Sequence, residues 1–224
     1  MFENYFGAYA INLIENTDRK EAFVKEWNNI DKRLKFVEAV DTRLHLWKYY
    51  KDYLSKESLK ELKQTIKNKK RETHDALTEG AIGCYLSHIK CWKKFLKECK
   101  DEDGYCVIFE DDSSIPKNLI KIMDNIAKNI QEKWGVILLG WTATSQYSSY
   151  NKHLYIPNTF HQTHAYMLSS YGAKKLLKLH DKIEIQLDYF MSKHVKEAKI
   201  FGTIRDICEQ KNSCGYTNIQ NYQV

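Results

Sequence analysis

Two prolines and nine glycines are all that the 224 residues contain, too few for a collagen-like, proline-rich or loop-dominated chain. No stretch approaches the ~18 uninterrupted apolar residues that span a bilayer; the best run is GVILLGW at 135–141. The amino-terminal segment lacks a basic n-region, and Asn12, Glu15 and Asn16 break its apolar run, so it does not read as a signal peptide. The closing YQV carries no retention signal. Of six cysteines, Cys84, Cys91, Cys99 and Cys106 sit inside apolar helix or strand patterns, where a reduced thiol acts as a small hydrophobe. Cys208 and Cys214 flank a turn-like EQKNS and are the one pair left open as a bridge. This usage leads us to expect a cytoplasmic chain, and the inner face of a membrane is compatible with it.

What is present argues for a folded enzyme-sized unit. Hydrophobic residues make up 43% and aromatics 13%, enough for a core and against wholesale disorder. At roughly 150 residues per domain the length suggests a single domain over 1–224. Lys and Arg number 35 and Asp and Glu 29, a net +6, which favours anionic partners without choosing among them. The basic residues crowd into 42–76, where Leu54, Leu59, Leu62 and Ile66 recur at three- to five-residue steps. We read this segment as a helical basic insertion, an amphipathic surface helix.

Elsewhere apolar strands alternate with helices. Strands are predicted over 9–14, 35–40, 105–109, 135–139 and 165–168. Helices are predicted from a Thr17 or Asp18 cap through Trp27, over 81–99, from Pro116 onward, and over 169–179 and 187–195. This is an α/β pattern with a mostly parallel central sheet.

In such sheets, ligands bind beyond the carboxyl ends of strands. YCVIF runs directly into Glu110, Asp111 and Asp112. Three successive acids repel one another unless a cation or hydrogen-bond donors sit among them, and hard carboxylate oxygens suit Mg²⁺ or Mn²⁺. A helix cap or a lysine pair is the plainer alternative. AINLI runs into Asp18 and Arg19, where a guanidinium near a helix start suits phosphate. KFVEAV ends at Asp41, a carboxylate for ribose or base contacts. Ser87 and His88 lie on the 81–99 helix as cleft lining or satisfied core. A zinc set of Cys84, His88 and Cys91 lacks a fourth ligand at a standard spacing. Asp188 opens a late helix, either as a catalytic carboxylate or as a helix N-terminal charge.

The blocks AINLIENTDRKEAF, FVEAVD, LTEGAIGCYLSHIKCW, VIFEDD, ILLG, QTHAYMLSSYGAKKLL and LDYF, in this order, resemble glycosyltransferase family twenty-five, which includes lipooligosaccharide and procollagen galactosyltransferases. The resemblance covers about 8–41, 77–140 and 159–192. It implies a GT-A-like Rossmann-type fold, a UDP-sugar donor (UDP-galactose first), a Mn²⁺ or Mg²⁺ cofactor, and inverting transfer. The implied acceptor is a glycan, a glycolipid or a hydroxylysine of a collagen-like protein. The resemblance assigns Asn12, Asp18, Arg19, Asp41, Ser87, His88 and Glu110 to the nucleotide-sugar side, and Asp111 and Asp112 to the metal. Asp188 matches the acid after the Gly-Ala-x-x-Leu-Leu helix. We take it as the base that receives the acceptor proton, with Asp112 as the second choice. Trp141, Thr163 and Tyr166 are candidate acceptor contacts. One departure stands out: family members commonly read Gly-Glu where this chain has Gly80-Ala81, preceded by Glu79.

Three other readings compete. A phosphohydrolase could use the same acids, a binding protein could hold a nucleotide-sugar without turnover, and the basic run could bind nucleic acid. The last is not expected. Peripheral contact with a membrane remains compatible with the basic segment.

Overall fold

Strands and helices alternate through residues 4–211, the part of the chain that this computed structural model describes. The order is β1 (Tyr5–Asn12), α1 (Thr17–Trp27), β2 (Leu34–Glu38), a 3-10 helix (Leu46–Tyr53), α2 (Lys56–Asn68), α3 (Glu79–Glu98) and β3 (Tyr105–Glu110). There follow α4 (Leu119–Asn129), β4 (Val136–Ala143), β5 (Ser148–Ser149), β6 (Leu154–Ile156), β7 (Phe160–Ser169), α5 (Ser170–Leu179), α6 (Leu187–Lys193) and β8 (Ile200–Thr203).

All eight strands join one sheet in the order β2-β1-β3-β7-β4-β8-β6-β5. β1 pairs in parallel with β2 and β3, and β4 with β8, whereas β7 lies antiparallel between β3 and β4. β6 runs against both β8 and β5. Six strands therefore point one way and β6 and β7 oppose them, which keeps the expected mostly parallel α/β, GT-A-like Rossmann-type sheet.

Side chains alternate between two cores at period two. Tyr9, Ile11, Cys106, Ile108, Tyr166 and Leu168 face the side covered by α2, α3, α5 and α6. Ala8, Ala10, Val107, Phe109, Ala165 and Met167 face α1 and α4. Helices thus cover both faces, as a sheet of continuous apolar strands requires.

Three local expectations are corrected. Asn16, not Thr17 or Asp18, is the α1 cap residue, and its side chain caps nothing. Helix α4 begins at Leu119, and Pro116 stands in the turn before it, accepting from the Leu119 N–H at 2.9 Å. The 42–76 segment is two helices, not one. Leu54 is extended and bridges Ile183, and Ser55 caps a fresh start by accepting from the Ser58 N–H at 3.1 Å. The proposed Cys208–Cys214 pair falls outside the described residues, although Cys208 itself is buried.

Candidate active site

The sheet topology gathers the chemistry at one edge. Parallel β1 and β3 end together, with Ile11 in register with Glu110. Antiparallel β7 begins at the same edge, so its first residues face the end of β4, with Thr142 opposite His161. A cleft opens there in two halves. The first, about 670 Å³ including its mouth, is lined by Asn16, Arg19, Asp41, Ser87, Asp111 and Asp112 among others. The second is lined by Thr142, Gln162, Thr163, Gln186, Asp188 and Tyr189 among others. Cys84, Glu110 and Gln210 belong to both.

The three acids at the β3 terminus differ in how far their oxygens are satisfied. Asp111 Oδ2 accepts from Asn12 Nδ2 at 2.7 Å and Oδ1 from an Arg19 guanidinium nitrogen at 3.0 Å. Asp112 Oδ2 accepts from Gln210 Nε2 at a long 3.3 Å, and its Oδ1 is buried with no hydrogen-bond partner. Burial raises the carboxyl of Asp112 to about 6, reinforced by the negative charges of Glu110 and Asp111. Burial also raises Asp111, and Asn12 and Arg19 partly offset this. Among the described residues the three acids do not form a common cluster of ligand atoms, which Cys84, His88 and Glu110 do; the bare, buried Asp112 oxygen is what suits a hard divalent cation here.

Glu110 faces His88, whose Nε2 lies 3.5 Å away, buried and short of a hydrogen bond. Burial pushes Glu110 up, but the His88 imidazole, with His164 and Arg19 beyond it, outweighs this and holds the carboxyl below its usual range. The other His88 nitrogen, Nδ1, lies 2.7 Å from the Tyr166 hydroxyl, which also accepts the Trp92 indole N–H at 2.7 Å. Burial keeps the phenol protonated. Its proton then has the His88 Nδ1 lone pair as acceptor, because the indole only donates. In the neutral form of the imidazole this leaves the hydrogen on Nε2, on the side of Glu110. Cys84 Sγ, His88 Nε2 and a Glu110 oxygen all lie within 4.8 Å of one another. Burial, then the nearby acids, holds the Cys84 thiol well above its usual range.

Ser87 lines the first half, yet its hydroxyl is engaged inside the protein. It donates to the Gly83 carbonyl at 2.6 Å and accepts the Val40 N–H at 2.8 Å, so it fixes the segment that leads to Asp41. Asp41 is paired with Arg43, whose Nε and terminal nitrogen stand 2.8 and 2.7 Å from it. That guanidinium lowers the Asp41 carboxyl.

Asp188 stands in the second half. Its oxygens accept the backbone N–H groups of Tyr189 at 2.9 Å and Gln162 at 3.2 Å. Burial raises its carboxyl, and the two N–H groups partly offset this. Gln162 adopts a φ of 70°, a left-handed conformation inside a strand, and strain of this kind collects at functional sites. Thr163 lines the same half.

Four sequence candidates are not brought to the cleft wall: Asn12, buried behind Asp111, to which it donates, and Asp18, Tyr166 and Trp141. Asp18 is exposed in the first turn of α1, where an acid complements the helix dipole. Tyr166 is fully buried beneath His88. Trp141 packs over Gly202 and donates its indole N–H to the Thr203 carbonyl at 3.0 Å. Cys91, from the weak zinc set, points into the core, and Glu110 takes its place near Cys84 and His88. Glu79 turns away from the chemistry: its carboxylate accepts the His45 N–H at 3.0 Å, while Ala81 lines the Asp188 half. Gln162, although it opens the QTHAYM block, and Gln210 are not among the sequence-nominated site residues, since each reaches the cleft only through a strand or bridge register. Gln210 arrives through the pairing of its backbone with Ser113.

Residues 6–191 match the model of the family described as Glycosyltransferase family 25 (LPS biosynthesis protein). Over 138 residues, 59% of this chain, it is 30% identical to human Procollagen galactosyltransferase 2, of which the match covers 20%. It is 24% identical over 178 residues to Probable inactive glycosyltransferase 25 family member 3 of Bos taurus, 75% of this chain and 28% of that protein. A putative glycosyltransferase of Acanthamoeba polyphaga mimivirus is 24% identical over 155 residues, 69% of this chain and 43% of the viral protein. The chain thus spans between about a fifth and somewhat under half of the length of these curated relatives.

Proposed function

The chain belongs to glycosyltransferase family 25, and from that premise we propose that it transfers a sugar, galactose first, from a UDP-sugar to a hydroxyl of a glycan, glycolipid or collagen-like acceptor, with inversion. The observation that carries this reading is the two-part cleft, with the acids of β3 in one half, Asp188 in the other, and Glu110 where the halves meet.

In this reading the diphosphate lies in the half lined by Arg19 and Asp112. Mn²⁺ or Mg²⁺, held by Asp112 and Glu110, would supply Lewis-acid stabilisation of the departing diphosphate. Asp111, with both oxygens engaged, keeps Arg19 and Asn12 in place beside that site. Asp188 accepts the acceptor hydroxyl's proton as its oxygen bonds to the anomeric carbon and the carbon–oxygen bond to UDP breaks. A carboxyl raised by burial is a stronger base than an exposed one.

The test is UDP release from a panel of UDP-sugars, with Mn²⁺ and with chelator, by the full chain and by Asp112→Asn. Release from one donor that needs the metal and is lost in the variant supports the reading. Metal-dependent UDP binding without release, with or without added acceptors, would instead favour a silent binding protein. That reading draws on the relatives named as probably inactive and on the small Ala81 in the second half.

A further inference from the structure

We propose that the outer face of residues 44–71 docks onto an anionic lipid membrane and sets the cleft mouth beside it. Residues 44–71 carry nine Lys and Arg against three Asp and Glu, a net +6, so the rest of the chain sums to zero. On α2, Lys56, Lys60, Lys63 and Lys67 follow at steps of four, three and four, which makes one stripe along the helix. The buried residues of that helix, Ser58, Leu62 and Thr65, lie on the opposite side. The lysines therefore face water as a row.

The same segment also exposes apolar side chains. A 3-10 helix repeats every three residues. Its Trp47–Tyr50 ridge packs inward, while Leu46 and Tyr49 share a ridge that faces out, Tyr49 being 81% exposed. Leu44 is 89% exposed and Ile14, on the β1–α1 loop, 73%. An ion pair between Glu15 and Arg43 ties the two loops that carry Ile14 and Leu44. Leu44 and His45 both adopt left-handed backbone, with φ of 52° and 68°, and the buried Glu79 carboxylate holds this turn through the His45 N–H. A strained turn that keeps a leucine in water calls for an apolar partner.

The pairing of lysines with aliphatic and tyrosine side chains selects the partner. A polyanion such as nucleic acid would use the charges and leave Leu44 and Ile14 in water. An anionic bilayer uses both, with lysines at the headgroups and the apolar tips below them. Leu13 and Arg43, the chain neighbours of Ile14 and Leu44, line the cleft, so docking here brings the cleft mouth to the lipid surface. This inference does not depend on the proposed transfer reaction.

The experiment is sedimentation of the full chain with vesicles of phosphatidylcholine alone and of phosphatidylcholine with phosphatidylglycerol. Binding to the anionic vesicles at least about tenfold above the neutral ones is expected, falling as salt rises. Lys60→Glu/Lys63→Glu/Lys67→Glu loses on the order of a hundredfold, the conversion of about 1 kcal/mol per basic side chain near an anionic surface. Leu44→Ser/Tyr49→Ser loses about tenfold and removes the part that survives high salt. All five side chains are exposed, so both variants keep the parental melting temperature. Equal binding to both vesicle types, parental binding by either variant, or capture of an oligonucleotide without vesicle binding would overturn the proposal.

Discussion

The Tyr166 hydroxyl stands 2.7 Å from His88 Nδ1, and the two rings stack with their centroids 5.6 Å apart. This contact decides which edge of the imidazole carries the hydrogen facing Glu110. Tyr166→Phe removes the donor to Nδ1 and strands the buried indole N–H of Trp92. We expect a stability loss of about 1–3 kcal/mol and a loss of activity of about 10- to 100-fold, as when a partner that orients a site histidine is removed. The distinguishing readout is the imidazole nitrogen chemical shifts. They should report hydrogen on Nε2 in the parent and a mixed population in the variant; an unchanged tautomer would remove Tyr166 from any positioning role.

Asp188→Asn keeps the shape of the side chain, but its one amide oxygen can accept from only one of the Gln162 and Tyr189 N–H groups, and it cannot take a proton. Turnover should fall by about 10²- to 10⁴-fold with donor affinity little changed. The parent should lose activity as pH falls through the Asp188 pKa, because only the ionised form is a base. Burial raises that carboxyl, so the acid limb should lie above the ordinary aspartate range. An acid limb that persists in the variant would assign the base elsewhere, with Asp112 next.

How far the sequence reached depended on the range of each interaction. The buried strands announced themselves because their apolar runs are continuous, and the acidic ending of β3 was legible because it is contiguous. Short β5, β6 and β8, of two to four residues, offer too little pattern to detect. Within the site, sequence could nominate Glu110, Asp111 and Asp112 but could not rank them. Asn12 and Arg19 saturate Asp111, and Asp112 keeps a bare oxygen, through contacts 92 to 99 residues apart in the chain and the fold's placement of side chains. Tyr166 and Trp141 read as aromatic sugar contacts by type, yet their polar atoms are taken by His88, Trp92 and Thr203 inside the protein. Glu79 precedes the glycine that family members follow with an acid, and the sequence left open whether it replaces that acid; the structure gives its carboxylate to the His45 turn.

Gly140, the last residue of ILLG, has a reason that only packing reveals. A Cβ there would stand 2.1 Å from both the Cys208 carbonyl oxygen and His164 Nε2, atoms that bond to each other at 2.6 Å. Both are fixed, one being backbone and the other a buried ring. Gly140→Ala should cost about 3 kcal/mol, the upper part of the range for overpacking a core. It should also loosen the segment that carries Gln210 to the cleft. Chemical denaturation checks the first effect; a variant within 1 kcal/mol of the parent would show that the segment after β8 shifts freely.

Glu98 at the end of α3 ties that helix to two strands, accepting from Tyr9 at 2.7 Å, Lys35 at 2.8 Å and Lys94 at 2.7 Å. Burial alone would raise its carboxyl, but the three donors outweigh burial and bring it to about 2. A carboxyl whose folded pKa is depressed stabilises the fold above its unfolded value near 4.5 and loses that contribution as pH falls toward 2. Because the group is partly exposed, we expect about 1–2 kcal/mol rather than the full value of the shift. Glu98→Gln should therefore be less stable than the parent by that amount at neutral pH. The gap should close as both proteins are taken from pH 4.5 toward pH 2, where the parental carboxyl takes up its proton. Equilibrium unfolding at a series of pH values reads the gap directly. A gap that stays constant through this window would mean that the carboxylate charge does not hold the helix, and that the variant acts through packing instead.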